Sequence, residues 1–187
     1  RHCFHYEYEV GYDDTGHVLG AELTMVSRAG FSADLSAPVM TRAICHFDNA
    51  YWLPDVAIHG YSGRTNTQSN TAFRGFGGPQ GAIAIENIVD SIARTLGRDP
   101  LDVRKANFYG QGQSTPYLQP VTDNVIHELV AELETRSAYR ARREAVADAR
   151  AKAELYADAA GVTLGPVVTI RENVGMGGPE PFRAKAA

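Results

Sequence analysis

The stretch SNTAFRGFGGPQG, residues 69–81, sets four glycines, two phenylalanines and one arginine directly before the apolar run AIAIENIV. Bare backbone at Gly75, Gly77 and Gly78 lets main-chain donors approach a partner closely, Phe76 offers a ring face, and Arg74 offers a forked donor. Three chemistries compete for such a loop: a turn without further function, a cradle for phosphate, or a pocket for a flat ligand. A Walker loop requires Gly-Lys-Ser/Thr after its glycines, and the dinucleotide fingerprint requires GxGxxG between strand and helix; GFGGPQG supplies neither. What survives of the phosphate reading is the general anion affinity of N–H groups at a helix start. On composition alone the turn is sufficient, because glycine's backbone freedom explains the loop without any ligand. A second arginine, Arg42 in SAPVMTRAICHFDNAY, stands among apolar neighbours and would add donors for the carbonyl oxygens of a heterocycle.

The elements that must position these residues are read from periodicity. Residues 4–12 alternate, with Phe4, Tyr6, Tyr8 and Val10 on one face and His5, Glu7 and Glu9 on the other, which predicts a half-buried strand. DDTG supplies a turn and HVLGAELTMVS the return, so an antiparallel hairpin is expected over residues 3–27. Pro38 near a helix start, with Val39, Met40, Ala43, Ile44 and Phe47 at helical spacing, predicts a short helix that carries Arg42. DVAIHGYSGRTN reads as a strand leading into the glycine loop. Ile83, Ile85, Ile88, Val89, Ile92 and Leu96 then predict a helix over 81–96 stopped by Gly97, and Asp99 with Pro100 opens another over 100–108.

One long helix is expected over about 123–160. Val125, Ile126, Leu129, Val130 and Leu133 form an apolar stripe in its first part. From 136 to 160, however, ten residues are alanine, which favours helix but buries little surface. Gly161 ends it, and VTLGPVVTIRE reads as a short strand. The change of composition places a boundary near 140–148.

With 187 residues, 44% hydrophobic and 21% charged, the chain has the composition of a globular protein of one or two domains. A net charge of -4 with scattered arginines provides no basic surface for nucleic acid. No apolar run approaches the roughly 20 residues of a membrane span, and RHCFHYEYEV has no signal-peptide layout, so the expectation is a cytoplasmic protein without membrane contact. Cys3 and Cys45 form no CxxC pair, and His2, His5, His17, His46, His59 and His127 show no metal-ligand spacing, so neither a disulfide nor a protein-bound metal is expected. A strand pattern already under way at Arg1 suggests a piece of something longer.

SNTAFRGFGGPQGAIAIENIVDSIARTLGRDPLDVRKANFY, with RHCFHYEYEVGYDDTGHVLGAEL, TRAICHFDNAYWLPDV and TPYLQPVTDNVIHELVAELE, resembles the molybdenum-binding subunit of xanthine dehydrogenase-type molybdenum hydroxylases over residues 1 to about 145. The resemblance implies an α+β fold, a partial molybdopterin-binding domain at 1–145, and oxidation of purines such as hypoxanthine and xanthine. Arg74 matches the arginine whose main chain contacts the molybdopterin cofactor, and Phe73 and Gly75 flank it as cofactor contacts. Phe76 matches the aromatic that packs on the purine ring, and Arg42 the arginine that hydrogen-bonds a purine carbonyl. The family's general-base glutamate belongs to a motif not found among these residues, so no catalytic residue is assigned and the chain by itself is expected to be inactive. FAD and 2Fe-2S clusters are expected in other domains or in an iron-sulfur/FAD subunit. Residues 146–187, through ARAKAE and AAGVTLG, resemble the end of a SIMPL domain. That change of resemblance implies a fused or chimeric chain, and offers the alternative of a non-catalytic SIMPL-like interaction protein.

Overall fold

The computed structural model describes residues 1–168. The chain divides into two compact units, the first spanning Arg1–Leu133 and the second beginning at Glu134.

The first unit is built on a three-stranded sheet ordered β1 (Phe4–Tyr12), β2 (Val18–Gly30), β3 (Val56–Arg64). β1 and β2 form the expected hairpin, in register from Phe4 opposite Ser27 to Val10 opposite Ala21. Asp13 closes its turn, accepting from the N–H of Thr15 and of His17 at 2.8 and 3.1 Å. β2 and β3 run parallel. A parallel pair needs a crossover, and helix α1 (Ser36–Cys45) lies in that connection.

Helix α2 (Gly78–Leu96) buries Ala84, Ile85, Ile88, Val89, Ile92 and Ala93, while Ile83 is exposed. Full burial of each large aliphatic is worth about 2 kcal/mol, so this one face carries much of the unit's stability. Gly97 ends α2 in the left-handed conformation at φ 63°. Asp99 accepts from the Leu101 N–H at 2.8 Å and opens α3 (Pro100–Asn107). The core joins Leu23 and Met25 of β2, Met40 and Ala43 of α1, and the α2 face to Phe47, Tyr51 and Val103.

The single long helix expected over 123–160 is two helices, α4 (Ile126–Arg136) and α5 (Tyr139–Ala160). Asn124 accepts from the Ile126 N–H at 3.1 Å and sets the start. The break lies at Ala138, whose left-handed φ of 49° interrupts the helical hydrogen-bond ladder. No residue of α4 is buried, so its apolar stripe faces outward in Leu129 and Leu133. Residues 162–168 have no strand, and the rest of the expected strand lies outside the described residues. No helix among the described residues is long and apolar enough to cross a membrane.

In α5 only Ala157 is buried. Amide hydrogen exchange is therefore expected to be faster over residues 140–158 than over 83–95, because backbone protection follows local burial. Equal protection in the two segments would show that the alanine-rich helix is held by packing that its surface exposure does not reveal.

Candidate functional site

The glycine loop is tied down before it does anything else. The Asn70 N–H donates to Ala29 O at 2.8 Å, Asn70 Nδ2 donates to Arg28 O at 2.8 Å, and the Ser32 and Ser69 hydroxyls pair at 2.6 Å. These bonds fasten the start of the loop to the end of β2. Two tight turns follow, with the Phe76 N–H on Phe73 O at 2.8 Å and the Gly78 N–H on Gly75 O at 2.9 Å. Gly75, Phe76 and Gly77 take φ of 92°, 51° and 103° in succession. Phe76 is thus an aromatic residue held in left-handed backbone, a conformation that surrounding structure has to enforce.

Phe73, Arg74, Phe76, Gly77 and Gln80 line one shallow cleft, with Val39 from α1 and Arg1 and His2 from the chain start. The Arg1 guanidinium stacks over the Phe73 ring at 4.4 Å. His2 is buried and shares a 2.8 Å hydrogen bond with the Ser36 hydroxyl, and burial pushes its pKa down. The Tyr6 hydroxyl donates to Gln80 O at 2.9 Å, and burial raises its pKa to about 12. That bond anchors the first turn of α2 to β1.

Arg42 is not part of this cleft. It is exposed on α1, with its Nε 4.0 Å from the point a Cβ on Gly78 would occupy. Arg74 and Phe76 therefore share a wall, and Arg42 stands beside Gly78, two residues further along at the start of α2.

The chemistry of the loop suits an anionic, hydrogen-bonding group. The N–H groups of Arg74, Gly75 and Gly77 meet no acceptor among the described residues. They sit where α2 begins, and the Arg74 side chain is exposed and forms no ion pair there. Unused main-chain donors at the positive end of a helix match the oxygen- and sulfur-rich rim of a pterin cofactor. The residues present fit the group that the sequence implies.

Sequence reasoning missed two polar groupings nearby, one buried and one half-buried. A cavity of about 420 Å³ runs from Cys45 to Asn124, and on its wall the buried Asp48 accepts from the Tyr109 hydroxyl at 2.6 Å. Burial pushes the carboxyl of Asp48 and the phenol of Tyr109 upward alike. On α2, Glu86 accepts from the Tyr51 hydroxyl at 2.7 Å, from Asn49 Nδ2 at 3.0 Å and from Arg104 Nε and Nη2 at 3.0 and 2.9 Å. Arg104 also reaches Asp90 at 2.9 Å. The only local signal was the i, i+4 pairing of Glu86 with Asp90, which marks a charged face and names no partner.

Residues 1–108 match the family described as the molybdopterin cofactor-binding domain, and residues 87–187 match SIMPL, described as a protein of unknown function. The chain belongs to both families. The molybdopterin-domain match contains α1, the loop and α2, and thus every candidate residue named above. Among curated proteins the chain is 42% identical over 147 residues to xanthine dehydrogenase of Drosophila subobscura, covering 79% of this chain and 11% of that protein. It is 43% identical over 146 residues to xanthine dehydrogenase of Dictyostelium discoideum, covering 78% and 11%. The matched region therefore spans about a tenth of the length of these relatives. Among solved structures, aldehyde oxidoreductase from Desulfovibrio gigas matches with a TM-score of 0.69 at 26% identity, over 75% of this chain and 15% of that one. Quinoline 2-oxidoreductase from Pseudomonas putida 86 has the same fold at a TM-score of 0.68 and 23% identity, over 80% and 20%. The α+β architecture of the molybdopterin domain is that of the molybdenum hydroxylases.

Proposed function

We propose that this chain carries part of the cofactor and substrate pocket of a molybdenum hydroxylase that oxidises purines such as hypoxanthine and xanthine. The observation that carries the reading is 42% identity to a xanthine dehydrogenase across a region that includes both the glycine loop and Arg42. Molybdenum bound to molybdopterin, when present, supplies the oxidising centre. The N–H groups of Arg74 and Gly75, with the backbone of Phe73, hold the cofactor's edge. Phe76 presents a ring face that orients a planar heterocycle, and the Arg42 guanidinium donates to a purine carbonyl and offsets negative charge that develops there. FAD and 2Fe-2S clusters would be held in neighbouring domains or a partner subunit, not by this chain, and the cytoplasm is the compartment. A second reading, a non-catalytic SIMPL-like interaction protein, is favoured by the match over residues 87–187.

Metal and pterin analysis separates the two. Co-expressed with cofactor-assembly machinery, the chain is expected to retain molybdenum and a fluorescent pterin without turning over purine. Gly75→Val should lose both, since a Cβ at Gly75 falls 2.6 Å from Pro79 Cγ on backbone of positive φ. Absence of molybdenum and pterin from the unaltered chain would sink the cofactor reading and leave the interaction protein.

A further inference from the structure

Helix α1 backs onto the start of α2 through glycine. A Cβ on Gly77 would fall 2.1 Å from the Val39 carbonyl oxygen, and one on Gly81 would fall 2.1 Å from that of Ala43. The two backbones therefore touch where side chains ordinarily hold helices 8–10 Å apart. Between these contacts Gly78 faces side chains from the last turn of α1 and from the residue that follows it. Its Cβ position lies 3.5 Å from His46 Cδ2 and 4.0 Å from Arg42 Nε. On its opposite side α1 meets β3, where a Cβ on Gly60 would lie 2.6 Å from Ile44 Cδ1 and 2.9 Å from Met40 Sδ. Glycine backbone thus seats α1 on both sides, and its height above α2 is set by contact rather than by flexible side chains.

The glycines of the motif divide their labour accordingly. Gly75 bends the loop that carries Arg74, and an added Cβ there would meet only the Pro79 ring. Gly77 and Gly81 are aimed at α1. We infer that Gly81, with Gly77, is a positioning residue: by letting α1 sit at backbone contact it sets the Arg42 guanidinium at the edge of the Phe76 loop. This rests on the proposed role of Arg42 as a substrate contact. A single methyl at Gly81 lifts α1 and carries Arg42 away from Gly78, although neither Gly81 nor the methyl touches the ligand.

The test uses the full 187-residue chain with isotope labels and xanthine as the probe. In the unaltered chain a nuclear Overhauser contact is expected between Arg42 Hε and a Gly78 Hα, and xanthine should shift the resonances of Arg42 and Phe76 together. Gly81→Ala is expected to remove that contact and the Arg42 response, to leave the Phe76 response, and to weaken xanthine binding about tenfold through loss of one charged hydrogen bond. Gly165→Ala, where an added Cβ meets nothing within 4 Å, should leave the contact intact. If Gly81→Ala does not fold, Gly77→Ala, which drives a Cβ onto the Val39 carbonyl at the other contact of the same seam, is read in its place. Persistence of the Arg42–Gly78 contact in the wedge variant overturns the inference. Loss of the contact in that variant, with no xanthine response in the unaltered chain, upholds the seating of Arg42 and overturns the purine reading instead.

Discussion

Arg42→Met, made in an intact xanthine dehydrogenase-type subunit bearing these residues, is expected to lower kcat/KM for xanthine by about 10² to 10³, or about 2.7–4 kcal/mol. The loss for a simple aldehyde should be far smaller, because only the purine presents the carbonyl that the guanidinium engages. Arg42 is exposed and has no hydrogen-bond or ion-pair partner among the described residues, so removing its charge leaves the packing of α1 unchanged. Methionine keeps the helix propensity and much of the apolar stem. The comparison between substrates is what makes the result interpretable. Equal losses for xanthine and aldehyde would mean that Arg42 supports the structure and does not read the substrate. The placement of Arg42 beside Gly78 and outside the Phe76 cleft also requires the guanidinium to reach along the start of α2 toward its target. Shortening it to Lys should therefore recover only part of the xanthine activity, since a lysine amine cannot donate in a fork.

Asn107→Ala is expected to cost about 3 kcal/mol of stability, the largest effect of any single polar truncation in the first unit. Asn107 is 1% exposed, and its side chain spends both of its N–H donors and its carbonyl oxygen on main chain. Its Nδ2 donates to Gly16 O and Val103 O at 2.8 Å each, and its Oδ1 accepts from the Val18 N–H at 2.8 Å. The amide therefore ties the β1–β2 turn to the end of α3. Alanine would strand the Val18 N–H and the Gly16 carbonyl in the interior, each at the desolvation cost of an unpaired group. Asn87, whose exposed side chain donates only to Ile83 O, is the control, and Asn87→Ala should change stability by less than about 0.5 kcal/mol. Urea unfolding of the two variants gives the comparison directly. Similar midpoints for both would mean that water replaces the bonds Asn107 makes.

Neither Asn107 nor Asp48 carries a mark in the sequence. Each stands in a segment that reads as an ordinary helix end or loop, and the partners that fix its role, Gly16 and Val18 for Asn107 and Tyr109 for Asp48, are 61 to 91 residues away. By contrast, α2 and α3 were legible because their signals are local: the three- and four-residue spacing of Ile85, Ile88, Val89 and Ile92, the left-handed stop at Gly97 and the Asp99 cap. The break at Ala138 had no such signal, since no glycine or proline occupies the left-handed position and the weaker helix formers Thr135, Ser137 and Tyr139 are flanked by strong ones on both sides. The exposed stripe of α4 marks the same limit. Periodicity establishes that a helix has an apolar face but says nothing of what covers it.

What the sequence determined by itself is the local geometry of the site: a loop of bare backbone at Gly75 and Gly77, an aromatic and an arginine upon it, and a helix beginning directly behind. These follow from conformational freedom and periodicity, which act over a few residues. Only the tertiary structure decided that Gly77 and Gly81 are turned toward α1, that Arg42 stands beside Gly78, and that β3 joins the sheet parallel to β2. Those facts depend on close packing between segments about 35 residues or more apart, and the fit of one backbone against another leaves no trace in the spacing of either segment alone.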